Sequence, residues 1–237
     1  MIIILFDIDG TLLHIGGAGK MAMIQAFKDI YGVSYNFDGI VMAGKTDEEI
    51  LKEAIHKVGF IGKNNQIEMF KKRYFQLLMR NIRRKFPGEK IYPGVKPLLD
   101  KLIKYKNVKL GIITGNWKIS AFIKLKHFDL DRYFEFGAFA DDAVSREDLL
   151  PFALKRCNIV KTINVKDVIL IGDTPRDVNC AKTHGTISIG VATGSYTTED
   201  LVAKGADLVI RDLNDTSSII SWIFSTLNIC SKKSKPK

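Results

Sequence analysis

Two aspartates, Asp7 and Asp9, stand one residue apart directly after the first apolar run of the chain, and Gly10 follows them. Residues 2–6 are isoleucine, leucine and phenylalanine, which predicts a buried strand that ends at these acids. Alternate residues of a strand point to the same side, and a glycine permits the turn that lets the second acid approach the same substrate from another angle. The pattern is typical of two carboxylates that act on one substrate. An acidic turn after a buried strand is the structural alternative.

A second apolar run, at 108–113, ends in Thr114, Gly115 and Asn116. This segment offers a hydroxyl and backbone N–H groups, which can hold a phosphoryl oxygen. An ordinary turn from a strand to a helix would have a similar composition.

Two more acids, Asp173 and Asp177, follow the apolar run at 168–171. Thr174 has the position of a helix N-cap, and Asp177 falls where an acid supports that cap, so a structural reading explains Asp177 well. It does not explain Asp173, which precedes the cap. A hard cation needs oxygen ligands, and Asp173 can provide them together with Asp7.

The four motifs occur in the order DxDGT, an apolar run with TGN, a basic residue, and GDTPxD. This order resembles that of the haloacid dehalogenase superfamily, and the match covers nearly the whole chain. The resemblance implies a magnesium-dependent phosphatase. Asp9 argues against the dehalogenase branch, which lacks the second acid.

The resemblance also implies roles for individual residues. Asp7 would be the nucleophile that becomes an aspartyl phosphate, and Asp9 would protonate the leaving oxygen and then activate water. Mg²⁺ would be bound by Asp7, the main-chain carbonyl of Asp9 and Asp173, with Asp177 close by in support. The phosphoryl group would be held by Gly10, Thr114, Gly115 and Asn116, with Thr114 counted also among the catalytic residues.

The basic residue of the third motif has two candidates, because the usual lysine-proline signature is missing. Arg146 stands at the start of a predicted helix and can grip phosphate in a bidentate way. Lys155 lies well inside that helix, where it suits a solvated face. The sequence favours Arg146 as a catalytic and phosphate-binding residue.

The elements that position these residues alternate between strand and helix patterns, which predicts an α/β doubly wound parallel sheet. The segment 15–88 breaks the alternation with helical patterns only, and it is predicted to be an all-helical cap inserted into a core formed by 1–14 and 89–230. Residues 231–237 are predicted to be a basic tail. Strands are predicted at 2–9, 108–115, 135–140, 168–173, 187–192 and 208–210, and helices at 20–31, 47–58, 65–86, 95–104, 118–127, 146–157 and 175–183.

Substrate specificity is expected in the cap. The glycine-rich segment 14–20 does not fit a nucleotide P-loop and is predicted to be a hinge. The segment 44–50 resembles the cap of phosphoglycolate phosphatase-like members, and Lys45 in it is a candidate for binding an anionic group. We therefore expect a small phosphorylated metabolite as substrate, with 2-phosphoglycolate as the specific candidate. A phosphosugar mutase is the alternative within the superfamily.

The chain has 237 residues, a formal net charge of +10 and three cysteines without CxxC spacing. The odd number of cysteines and the absence of a signal peptide or membrane-span pattern predict a cytoplasmic protein. The positive charge leaves open a nucleic-acid-associated protein acting on terminal phosphates, which would use the basic stretch at 71–85. A solvated helix face is the simpler interpretation of that stretch. The sequence leaves the oligomeric state open.

Overall fold

The computed structural model describes residues 1–60, 65–157 and 164–233, with side chains described as far as residue 227. The predicted basic tail at 231–237 lies outside the residues whose side chains are described. The backbone of the last helix extends to Lys233.

A parallel six-stranded sheet forms the centre of the core. In chain order the strands are β1 (Ile2–Phe6), β2 (Leu13–His14), β3 (Lys90–Ile91), β4 (Val108–Ile113), β5 (Phe136–Ala138), β6 (Val168–Gly172), β7 (Ile187–Val191) and β8 (Leu208–Ile210). The sheet has the order β5-β4-β1-β6-β7-β8, and every neighbouring pair in it is parallel. All residues of β1, β6 and β7 are buried, as expected for strands covered on both faces. The predicted α/β fold is confirmed.

The helices cover the sheet and form the inserted segment. They are α1 (Ala18–Tyr31), α2 (Asp47–Lys57), α3 (Gln66–Ile82), α4 (Val95–Leu102), α5 (Lys118–His127), α6 (Leu149–Arg156), α7 (Pro175–Thr183), α8 (Thr198–Lys204) and α9 (Thr216–Lys233). Only helices α1, α2 and α3 occur in the described part of segment 15–88, which is consistent with the predicted cap. Aromatic rings of Phe27, Tyr31 and Phe70 pack against one another where α1 lies along α3.

The two ends of the cap segment meet in a short antiparallel ribbon that the sequence did not predict. Leu13 of β2 pairs with Ile91 of β3, and His14 pairs with Lys90. Two-residue strands have no detectable alternation, and their partners lie far apart in the chain. Sequence patterns therefore cannot reveal them.

Most predicted elements are present, with errors at their ends. The strand predicted at 208–210 matches β8, whereas the other five predicted strands run too far at their carboxyl ends. After β1, β4 and β6 the polar residues there leave the sheet to form the loops of the site. The predicted helix at 146–157 is a 3₁₀ turn at Arg146–Asp148 followed by α6. Helices α8 and α9 were not predicted. Among the described residues, no helix combines the length and the apolar character needed to cross a membrane.

Candidate active site

Three neighbouring strands, β4, β1 and β6, bring the predicted motifs to one edge of the sheet. Phe6 pairs with Ile112 on one side and with Ile171 on the other, so the residues after these strands lie at the same level. A cavity of about 510 Å³ opens there between core and cap. It is lined by every predicted site residue except Asp177: Asp7, Asp9, Gly10, Lys45, Thr114, Gly115, Asn116, Arg146 and Asp173.

Arg146 is buried at the floor of this cavity and pairs with two aspartates. Its Nη2 atom donates to Oδ1 of Asp7 at 2.8 Å, to the main-chain oxygen of Ile113 at 3.2 Å, and to Oδ1 of Asp177. Burial lowers the pKa of Arg146, but the negative charges of Asp177 and Asp7 outweigh it and raise that pKa above its ordinary value. The competing Lys155 is exposed on α6. The structure thus brings Arg146, and not Lys155, to Asp7.

Three buried carboxylates, those of Asp7, Asp173 and Asp177, lie close enough for one oxygen of each to be within 4.8 Å of the others. Burial raises the pKa of Asp7 from 3.8 to about 6, with Arg146 lowering it and the charges of Asp177 and Asp9 raising it further. Burial and the neighbouring Asp7 and Asp177 raise the pKa of Asp173 well above its ordinary value. Crowded buried anions of this kind fit a divalent cation, which would compensate their charge.

The oxygens of the three carboxylates are not equally available for a cation. Asp177 closes the capping box of α7: its Oδ2 accepts from the backbone N–H of Thr174 at 3.0 Å and from the Thr174 hydroxyl at 2.7 Å. Its Oδ1 already binds Arg146. From the residues that the structure describes, Asp173 accepts one side-chain hydrogen bond, which the hydroxyl of Thr11 donates at 3.0 Å. Asp7 and Asp173 are therefore the carboxylates best placed to bind a metal ion, with Asp177 in support.

The carboxylate of Asp9 points away from this cluster, toward β4 and α5. Its Oδ2 accepts from Nδ2 of Asn116 at 2.7 Å and from Nζ of Lys124 at 2.5 Å. The same Asn116 amide donates to the hydroxyl of Thr114 at 2.8 Å. Lys124 was missed from the sequence. Its spacing from the buried Ser120 and Ala121 places it on the inner face of α5, but helical lysines usually face solvent.

Two glycines allow close approaches that a side chain would block. Gly10 has a φ of 87°, and a Cβ there would lie 2.3 Å from Oδ2 of Asp173. A Cβ on Gly115 would lie 2.2 Å from the main-chain oxygen of Lys45, where the cap segment touches the core. The ammonium of Lys45 pairs with Glu53, also in the cap. Lys45 thus lines the cavity but already has an anionic partner.

A second contact between cap and core was also missed from the sequence. Asp47, at the start of α2, accepts at Oδ2 from the backbone N–H of Trp117 at 3.0 Å and from the hydroxyl of Ser120 at 3.2 Å. The neighbouring Thr46 caps α2, because its hydroxyl accepts from the backbone N–H of Glu49 at 3.1 Å. Trp117 is fully buried against Tyr74 and other cap aromatics, which makes it a packing residue.

Comparison with known proteins identifies the family of the chain. A family model described as haloacid dehalogenase-like hydrolase matches residues 4–191. A phosphorylated carbohydrates phosphatase of Thermotoga maritima is 26% identical over 220 residues, 88% of this chain and 93% of that protein. A phosphoglycolate phosphatase of Agrobacterium fabrum is 30% identical over 145 residues, 58% of each protein. The solved β-phosphoglucomutase of Clostridium difficile has the same fold, with a TM-score of 0.72 at 20% identity over 96% of this chain and 98% of that one.

The fold is an α/β sheet that gathers buried carboxylates at the ends of neighbouring strands. The chain belongs to the haloacid dehalogenase-like hydrolases. The family and enzyme class expected from the sequence are therefore confirmed.

Proposed function

We propose that this protein is a Mg²⁺-dependent phosphomonoester hydrolase that works through an aspartyl phosphate on Asp7. The observation that carries the proposal is the environment of Asp7: its Oδ1 is held by the buried Arg146, while among the described residues no group hydrogen-bonds to its Oδ2. The free oxygen is available to attack phosphorus. The arginine keeps the other oxygen in place.

The reaction has two steps. Oδ2 of Asp7 forms a bond to phosphorus as the bond from phosphorus to the leaving oxygen breaks, and protonated Asp9 gives its proton to that oxygen. Asp9, now ionised, takes a proton from water as the water oxygen attacks phosphorus and the bond to Asp7 breaks. The products are an alcohol and phosphate, and both aspartates return to their initial state.

The groups around the transferring phosphoryl have supporting roles in this scheme. The hydroxyl of Thr114 and the backbone of Gly115 hold its oxygens, together with the backbone near Gly10. Mg²⁺ bound by Asp7, Asp173 and the carbonyl of Asp9 would supply charge neutralisation for the crowded anions. Arg146, which pairs with Asp7 at the floor of the cavity, supplies further positive charge.

The cavity supports a small phosphorylated metabolite as substrate. Its volume of about 510 Å³ suits a small molecule, and its lining combines the apolar Ile50 and Met42 with the basic Lys20 and Lys90. We infer 2-phosphoglycolate as the specific candidate, since a phosphoglycolate phosphatase is among the relatives. A sugar phosphate is the second candidate, because another relative is named for phosphorylated carbohydrates.

The nucleic-acid alternative finds less support. Two charges of the basic stretch on α3 are paired within the protein: Lys71 with Asp141 at 3.0 Å, and Arg73 with Asp29 at 2.6 Å. A phosphosugar mutase remains the alternative within the family, supported only by a shared fold.

The test is Mg²⁺-dependent phosphate release from 2-phosphoglycolate, sugar phosphates, nucleotides and phosphorylated oligonucleotides, with Asp7→Asn as the key variant. We expect release by the native protein, at least about 10³-fold loss in Asp7→Asn, and full activity in the control Asp129→Asn, an exposed aspartate after α5. Activity that survives in Asp7→Asn would refute the aspartyl phosphate. Preference for oligonucleotides would favour the nucleic-acid alternative.

A further inference from the structure

Lys124 is a buried lysine inside the cavity that none of the four motifs includes. It lies on α5, its side chain is 6% exposed, and it lines the cavity beside Asp9. Lysine is almost never buried at this level unless its charge is paired. Its Nζ atom lies 2.5 Å from Oδ2 of Asp9 and 2.5 Å from Oδ1 of Asn116.

These contacts close a three-membered ring of hydrogen bonds. Lys124 can only donate, so the amide oxygen of Asn116 must face it, and the amide nitrogen of Asn116 must then face Asp9. The hydroxyl of Thr114 fixes the amide plane from the other side. Neither Asn116 nor Lys124 can rotate without breaking a bond to the other.

Both donors of the ring meet the same oxygen of Asp9. Oδ2 accepts from Lys124 and Asn116, whereas among the described residues no group hydrogen-bonds to Oδ1. A proton on Oδ2 would displace one of the two donors. When Asp9 is protonated, the proton is therefore held on Oδ1, the oxygen left free for a substrate.

We propose that Lys124 is a positioning residue for the proton transfer by Asp9: with Asn116 it fixes Oδ2, so that Oδ1 presents the proton to the leaving oxygen. The side chain of Asp9 is 41% exposed, so without the ring it would be free to adopt other rotamers. This inference rests on the proposed function. As the bond from phosphorus to the leaving oxygen breaks, that oxygen keeps the electron pair and takes the proton from Oδ1.

Varying the leaving group of the substrate distinguishes a role of Lys124 in proton transfer from a merely structural role. An alkyl phosphate needs a proton on its leaving oxygen, whereas p-nitrophenyl phosphate releases a stable phenolate without one. Because kcat/KM reports the reaction only as far as release of the leaving group, a misplaced Asp9 lowers kcat/KM selectively for the alkyl phosphate, although Asp9 also serves the second step for both substrates. Loss of folded protein or of phosphate binding slows both equally.

The experiment compares kcat/KM for glycerol phosphate and p-nitrophenyl phosphate in the native protein, Lys124→Met, Asp9→Asn and the control Lys126→Met, an exposed lysine of the same helix. We expect kcat/KM of Lys124→Met to fall about 10²-fold for the alkyl substrate and less than about 5-fold for the aryl one. Asp9→Asn should likewise lose more kcat/KM on the alkyl substrate than on the aryl one. Lys126→Met should match the native protein on both. Lys124→Gln, which keeps an N–H donor, should recover part of the alkyl activity.

Equal losses on both substrates, or no loss on either, would overturn the inference. Lys124→Gln serves as the second variant if the methionine variant does not fold. It is judged by the same ratio, that of kcat/KM for the alkyl substrate to kcat/KM for the aryl substrate. A native protein without activity, or an active Asp7→Asn variant, would instead refute the proposed function. If Asp9→Asn loses kcat/KM selectively on the alkyl substrate but Lys124→Met does not, the role of Lys124 alone is refuted.

Discussion

Replacing Asp47 by asparagine separates the charge of a buried cap residue from its hydrogen bonds. Asp47 is 6% exposed, and its carboxylate accepts from the backbone of Trp117 and the hydroxyl of Ser120 in the core. Asparagine retains a carbonyl oxygen for both donors. The variant therefore removes the negative charge, puts an NH₂ group in the place of Oδ1, and keeps both hydrogen bonds of the contact between cap and core.

The size of the effect follows from the pKa of Asp47. Burial raises this pKa from 3.8 to about 6, although the positive charge of Lys124 opposes the shift. Because the folded pKa lies above the unfolded one, the folded protein binds more protons between these values and loses stability as the pH rises through them. One pKa unit corresponds to about 1.36 kcal/mol, so the ionised group lowers the free energy of unfolding by about 1 kcal/mol at about pH 4.5 and about 3 kcal/mol at about pH 8.

We expect the stability of Asp47→Asn relative to the native protein to increase by about 2 kcal/mol between about pH 4.5 and about pH 8. Urea unfolding of the metal-free protein at several pH values measures this difference. Asp38→Asn, an exposed cap aspartate, is the matched control and should show no pH-dependent difference. A difference that stays constant or shrinks as the pH rises would refute the buried, desolvated state of Asp47.

Two further predictions concern the floor of the cavity. Arg146→Met leaves Asp7 without its buried partner, and breaking such a pair costs about 3–5 kcal/mol, so the unfolding temperature should fall along with phosphatase activity. An unchanged unfolding temperature in calorimetry would contradict the pairing. Mg²⁺ should raise the unfolding temperature of the native protein, because the ion binds the folded state, and should raise that of Asp173→Asn much less. An equal rise in both proteins would place the ion elsewhere.

The parts of the site that could be predicted are those with a local signal. Asp7, Thr114 and Asp173 each follow an apolar run, and the carboxyl ends of parallel strands meet at one edge of a sheet. The capping box of Thr174 and Asp177 was predictable for the same reason, since it lies within four consecutive residues.

The parts that could not be predicted depend on contacts between distant segments. Lys124 reads as an ordinary helical lysine until α5 is placed beside the loop that carries Asp9. Asp47 reads as a helix-start acid, although its carboxylate binds the core across 70 residues of chain. The ribbon of β2 and β3 has no pattern of its own, because two residues are too few to show one.

The sequence by itself determined the sheet, its helical insertion and the order of the motifs along the chain, since periodicity and capping are local properties of neighbouring residues. Tertiary structure decided which charged and polar side chains contact one another. It selected Arg146 over Lys155 as the partner of Asp7, and it gave Asp9 a lysine and an amide as neighbours. The physical reason is that burial and charge pairing depend on distance in space, which sequence separation does not report.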